Sequence, residues 1–115
     1  MENNFQKSAF LEYEADAWFQ RNKNVIKNYT PNKDGVVSLL IQYNLEIECL
    51  LEIGCSAGYR LNGIIETLGQ NVKVFGIDPS NTAIDFGKEK YPMVNFTQGT
   101  ADNLSMYDNN SMDVI

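Results

Sequence analysis

"CLLEIGCSAGYRL", residues 49–61, runs from an apolar stretch through five small residues into the start of a second apolar pattern. Residues 49–53 are short and almost wholly apolar, as a strand covered on both faces of a parallel sheet would be. Gly54 ends that run. Beyond the turn, Leu61, Ile64, Ile65 and Leu68 recur at the i, i+3, i+4 and i+7 spacing of one helix face, and Gly69 supplies the stop. A turn as bare as "GCSAG" between a buried strand and a helix lets a ligand approach the backbone, because no bulky side chain stands in the way.

The alternation continues downstream. Residues 72–77, "VKVFGI", predict a second strand; "DPS" follows, then a helix to roughly Lys90 capped by Ser80 or Asn81. Residues 94–97 predict a third strand, and "MDVI" at 112–115 the start of a fourth. Strands separated by helices of this length predict right-handed crossovers. The fold class is therefore α/β, a Rossmann-like parallel sheet with flanking helices, carried as far as the start of its fourth strand. In such sheets ligands lie beyond the carboxyl ends of the strands, here at the turn after Ile53.

Upstream, "DAWFQRNKNVIKNY" (16–29) predicts a helix with Trp18, Val25 and Tyr29 near one face and Pro31 at or just past its end. Asp34 caps a second helix, "GVVSLLIQYN", with Val37, Leu40 and Ile41 at helical spacing.

Composition narrows the function classes. The chain has 115 residues, 43% hydrophobic and 21% charged, enough for one domain with a real core. Its formal charge of −6 argues against nucleic acid and against an anionic membrane surface as partners. No apolar run approaches the ~20 residues of a membrane span. "MENNFQKSAF" has neither the charged start nor the apolar stretch of a secretion signal, so the cytoplasm is the expected location. Cys49 and Cys55 flank one extended strand at roughly 3.3 Å per residue, too far apart to bridge, and both are expected reduced. Histidine is absent, which excludes a zinc site of the usual kind and the Cys–His and Ser–His–Asp nucleophiles.

Two glycine templates compete for the turn. The dinucleotide fingerprint G-x-G-x-x-G finds a glycine at 54 but Ser56 and Tyr59 at its other positions. The pattern E-x-G-x-G-x-G finds Glu52, Gly54 and Gly58, with Ser56 at the middle glycine. On this motif, on "VFGIDPS" (74–80) and on "FTQGTADNLSMYDNNSMDVI" (96–115), the chain resembles the class I S-adenosylmethionine-dependent methyltransferases.

That resemblance implies a cofactor, S-adenosylmethionine, and a site. Asp78 would accept hydrogen bonds from the ribose hydroxyls, and Asp102, beside Ala101, would meet the adenine amino group. Pro79 with Ile77 would wall the base. The turn of Gly54, Cys55, Ser56 and Gly58 would lie along the methionine part, and Glu52 would hold the glycine loop and the cofactor's amino group. The cofactor's chemistry asks for such a set: carboxylate acceptors for a diol, a flat apolar slot and an unobstructed loop. Each carboxylate also has a plainer role beside the functional one. Asp78 ends a strand in an Asp-Pro turn, Asp102 can cap a loop, and Glu52, costly to bury unpaired, can bond loop amides. The Cβ of Ser56 narrows the approach wherever the backbone needs a positive φ.

The resemblance covers roughly residues 49–115, and the expected division is an N-terminal helical segment at 1–45 and a cofactor-binding half at 46–115. Within "EYEADAWFQRN", the side chains of Tyr13, Trp18, Phe19 and Arg21 can form a lid over the cofactor or simply join the core. The expected acceptor is a small molecule, a sugar or another metabolite. Substrate-facing residues in the resembled family come largely from the fourth strand onward, so no catalytic residue and no metal are assigned. An apolar fourth strand at the sheet edge is a template for pairing with a second copy, a homodimer. The alternative function is a noncatalytic Rossmann-like module that binds a nucleotide or a protein partner.

Overall fold

Three strands, β1 (Cys49–Ile53), β2 (Lys73–Asp78) and β3 (Asn95–Gln98), pair in that order in one parallel sheet. The computed structural model describes residues 2–69 and 71–115. The register sets Leu50 opposite Val74, Ile53 opposite Ile77 and Phe75 opposite Asn95. Four helices flank the sheet: α1 (Glu2–Lys27), α2 (Gly35–Tyr43), α3 (Tyr59–Leu68) and α4 (Asn81–Lys90). The α/β Rossmann-like class predicted from the alternation of elements is the one observed.

The local chemistry explains most boundaries. Asp34 caps α2 by accepting from the Val36 amide at 2.9 Å, and Ser80 caps α4 by accepting from the Ala83 amide at 3.0 Å. Gly58, at φ +81°, opens α3; the Phe96 ring fills the space where its side chain would stand. Leu61, Ile64 and Ile65 turn inward against Leu50 and Val74 as the periodicity predicts. Strands β2 and β3 each run one residue past the predicted end.

Three expectations need correction. The first helix is far longer than residues 16–29, because neither glycine nor proline interrupts it from Glu2 to Lys27, and Pro31 begins a separate 3-10 turn. Its buried face is also rotated by one residue: Phe19 and Ile26 are buried, whereas Trp18 and Val25 are exposed. The Phe19 ring meets Phe86 of α4 at a centroid distance of 5.5 Å, which fixes that rotation. On α2, Val37 and Leu40 join the core but Ile41 is exposed, one position round the helix from the buried stripe. The expected start of a fourth strand is present as one parallel bridge, Leu50 with Val114. Asp113 shapes it, its carboxylate accepting from the Glu48 and Cys49 amides at 2.8 and 3.0 Å.

Among the described residues no helix is long and apolar enough to cross a membrane.

Candidate functional site

The carboxyl ends of β1 and β2 are tied together by the turn that follows β1. The amides of Gly54 and Cys55 both donate to the Ile77 carbonyl, at 2.8 and 3.2 Å, so the turn folds over the end of β2. Gly54 takes φ +78° with nothing within 4 Å of where a Cβ would be, which leaves its backbone open on one side. Ser56 also has a positive φ, 51°, the strained region for an L residue, and its hydroxyl is buried with no partner among the described residues.

Asp78 closes the turn from the other strand. Its Oδ2 accepts from the Ser56 amide at 2.8 Å and its Oδ1 from the Ser80 amide at 2.9 Å. Burial pushes this carboxyl above its ordinary value, against the two amides, which pull it down. Cys55 lies beneath the loop, where burial pushes its thiol well above the usual range, and its sulfur fills the space over Gly76.

A cavity of about 330 Å³ opens beside this turn. It brings together four of the residues singled out by sequence: Gly54, Pro79, Ala101 and Asp102. The Ile53 and Ile77 side chains supply apolar wall. Glu52, Cys55, Ser56, Gly58 and Asp78 are not in its lining; the last four are buried behind it and shape the turn. Asp102 sits at the exposed rim, held by Thr100 and by an ion pair to Lys7 at 3.3 Å, and these hold its carboxyl below the ordinary value.

Glu52 lines a neighbouring cavity of about 420 Å³ together with Arg60, and Ile53 lies on both cavities. Its Oε2 accepts from Arg60 Nη1 at 2.9 Å, while Oε1 is buried and has no partner among the described residues. Arg60 Nε in turn donates to Asp34 at 2.7 Å, and Tyr29 donates its hydroxyl to the same Asp34 oxygen at 2.9 Å. Burial raises the Glu52 carboxyl, with Arg60 opposing.

The N-terminal helix does reach the first cavity, through residues the sequence did not single out. Lys7 and Leu11, one turn apart on α1, line it. Of the four aromatic and basic residues considered as a lid, Phe19 is core, and Tyr13, Trp18 and Arg21 are exposed without lining that cavity. Arg60 was likewise missed. Its one sequence signal is a cation in the first turn of a helix, where the helix dipole disfavours positive charge.

A family model described as a methyltransferase domain matches residues 50–115, more than half of the chain. No curated protein sequence matches significantly. Among solved structures, a chain in the Haloferax volcanii complex between the Trm112 methyltransferase activator and a methyltransferase is similar at 24% identity and a TM-score of 0.70, over 90% of this chain and 45% of that one. The plantazolicin methyltransferase BamL, in complex with a triazolic desmethylPZN analog and SAH, is similar at 22% identity and a TM-score of 0.57, over 98% and 47%. A TehB-like SAM-dependent methyltransferase from Corynebacterium glutamicum is similar at 22% identity and 0.52, over 85% and 50%. The chain thus spans about half the length of the solved structures it matches.

Proposed function

The chain belongs to the methyltransferase-domain family, and from that premise we propose that it forms the S-adenosylmethionine-binding half of a methyltransferase acting on a small-molecule acceptor. One observation carries the reading: the 330 Å³ cavity at the carboxyl ends of the strands, where the open backbone of Gly54 meets Pro79, Ala101 and Asp102. The donor set fits the cofactor. Asp102 is a carboxylate at the rim for an exocyclic amino group, Ile77 and Pro79 offer an apolar wall for a base, and Glu52 Oε1 is a buried acceptor lacking a donor. Asp78 lies behind the cavity wall, where its two oxygens hold the Ser56 and Ser80 amides and so fix the turn beside it. One of the structural neighbours, BamL, is a complex with SAH.

When bound, S-adenosylmethionine supplies a methyl group already activated by its sulfonium. What this chain's own residues contribute is binding, orientation and exclusion of water. The turn from Gly54 to Gly58 presents backbone without side-chain obstruction at Gly54, and the amide bonds to Ile77 and Asp78 hold it rigid. Helix α1 acts as a cover over the nucleoside end, with Lys7 and Leu11 as its contacts.

Calorimetric titration with S-adenosylmethionine and, in parallel, with NAD tests this reading. Binding of the first and not the second is the expected result. Binding of NAD alone, or of neither, overturns it in favour of a noncatalytic module.

A further inference from the structure

Arg60 occupies an awkward place for a cation. It lies in the first turn of α3, where the helix dipole opposes positive charge, and its side chain is only 33% exposed. Two carboxylates hold it there. Nε bonds Asp34 at 2.7 Å and Nη1 bonds Glu52 at 2.9 Å, so one planar guanidinium links the cap of α2 to the end of β1.

The link is asymmetric on the Glu52 side. Both oxygens of Asp34 are engaged, accepting from Arg60, Tyr29 and the Val36 amide. Glu52 is half used: Oε2 is taken and Oε1 is buried with no partner. A buried carboxylate oxygen with no donor costs free energy, and a fold seeking stability alone would have filled it. The groups facing Glu52 are Arg60 from α3, Asp34 ahead of α2 and Asp78 from β2. Arg60 is the one cation among these, so a second cationic group is the partner the free oxygen suits.

We propose that Arg60 is a positioning residue for ligand binding: by taking Oε2 of Glu52 it fixes that carboxylate with Oε1 free for a cationic group, the ammonium of an amino-acid-bearing cofactor. The inference rests on the methyltransferase reading above. Ile53 lines both the nucleoside-side cavity and the Glu52 cavity, so the two lie side by side at the end of β1.

The test compares two probes on the full chain. S-adenosylhomocysteine carries the ammonium; 5′-methylthioadenosine has the same nucleoside without the amino-acid part. Arg60→Met is expected to weaken the first by about tenfold, the scale of one charge-assisted hydrogen bond, and the second by less than about twofold. Arg60→Lys, which keeps a charge but not the fork, recovers part of the loss. Without Arg60, Glu52 takes up a proton at higher pH, so the acid-side fall in S-adenosylhomocysteine affinity begins at higher pH in Arg60→Met than in the parent. Equal losses for both probes, or no loss for the first, overturn the positioning role while leaving the cofactor reading intact. A parent protein that binds neither probe overturns both. If Arg60→Met does not fold, Arg60→Lys decides: an unchanged affinity ratio and pH profile overturn the proposal.

Discussion

The amide of Ser56 donates to one oxygen of Asp78 at 2.8 Å while the amide of Ser80 donates to the other at 2.9 Å, so a single carboxylate joins the turn after β1 to the start of α4. Asp78→Asn keeps the shape but places an NH2 donor against one of those two donors. The expected cost is about 1–3 kcal/mol, that of a buried amide left unsatisfied. Urea unfolding measures it, and an unchanged midpoint means the turn does not depend on this carboxylate.

Ser56 stands at φ 51° with a buried hydroxyl that bonds nothing. Relieving a left-handed L residue is worth roughly 1–2 kcal/mol, and the extra chain freedom of glycine takes back roughly 0.5–1. Ser56→Gly is therefore expected to raise the thermal midpoint slightly, and Ser56→Val to lower it. A lower midpoint for the glycine variant indicates that the hydroxyl has a partner in solution.

Gly87 lies inside α4, where alanine ordinarily stabilises. Here a Cβ runs into the carbonyl of Ala57 and the ring of Phe96. Overpacking of this kind costs about 1–3 kcal/mol against a helix-propensity gain of at most ~1, so Gly87→Ala is expected to be a net loss. Thermal unfolding checks the sign, and a rise in midpoint shows that α4 can slide away from the turn.

The pH dependence of stability has two opposed components. Burial raises the Glu52 carboxyl, so its contribution is complete in acid and is lost as pH rises through that raised value; Glu52→Gln is expected to gain on the parent from acid toward neutral pH. Burial also pushes Asp34 upward, but its bonds from Arg60, Tyr29 and the Val36 amide outweigh this and leave it below the ordinary value. Its contribution is present above that ordinary value and fades as pH falls through the lowered one, so the deficit of Asp34→Asn is largest near neutrality and closes in acid. Denaturation midpoints across about pH 3 to 7 give both slopes; two parallel profiles refute the assignment.

The two thiols differ in access. Cys55 is 2% exposed and burial pushes its thiol above the usual range, while Cys49 is half-buried at the start of β1. Iodoacetamide on the native protein is expected to modify Cys49 alone, with Cys55 following only in denaturant. Mass analysis of the peptides distinguishes the two, and native labelling at Cys55 means the turn opens.

Residues whose role is set by neighbours in the chain were legible in the sequence. The caps at Asp34 and Ser80, the stop at Gly69 and the inward face of α3 each depend on a few adjacent positions. The rotation of α1 was not, because Phe19 rather than Trp18 is chosen by Phe86, far along the chain. The same limit applies to the site. The turn of Gly54 to Gly58 and the strand-end Asp78 follow from local pattern, but Lys7, Leu11 and Arg60 enter through packing between elements that no spacing records.

The partners of Phe19 and Ile26, Ala57, Ala83 and Phe86, lie well downstream of α1, and every strand pairing is parallel, so no hairpin can form early. During synthesis, then, α1 is made with its apolar stripe before the residues that cover it. Its docking waits for α4 to be synthesised, and over that interval the nascent chain depends on the charge around the stripe, or on a chaperone, to keep it from adhering elsewhere.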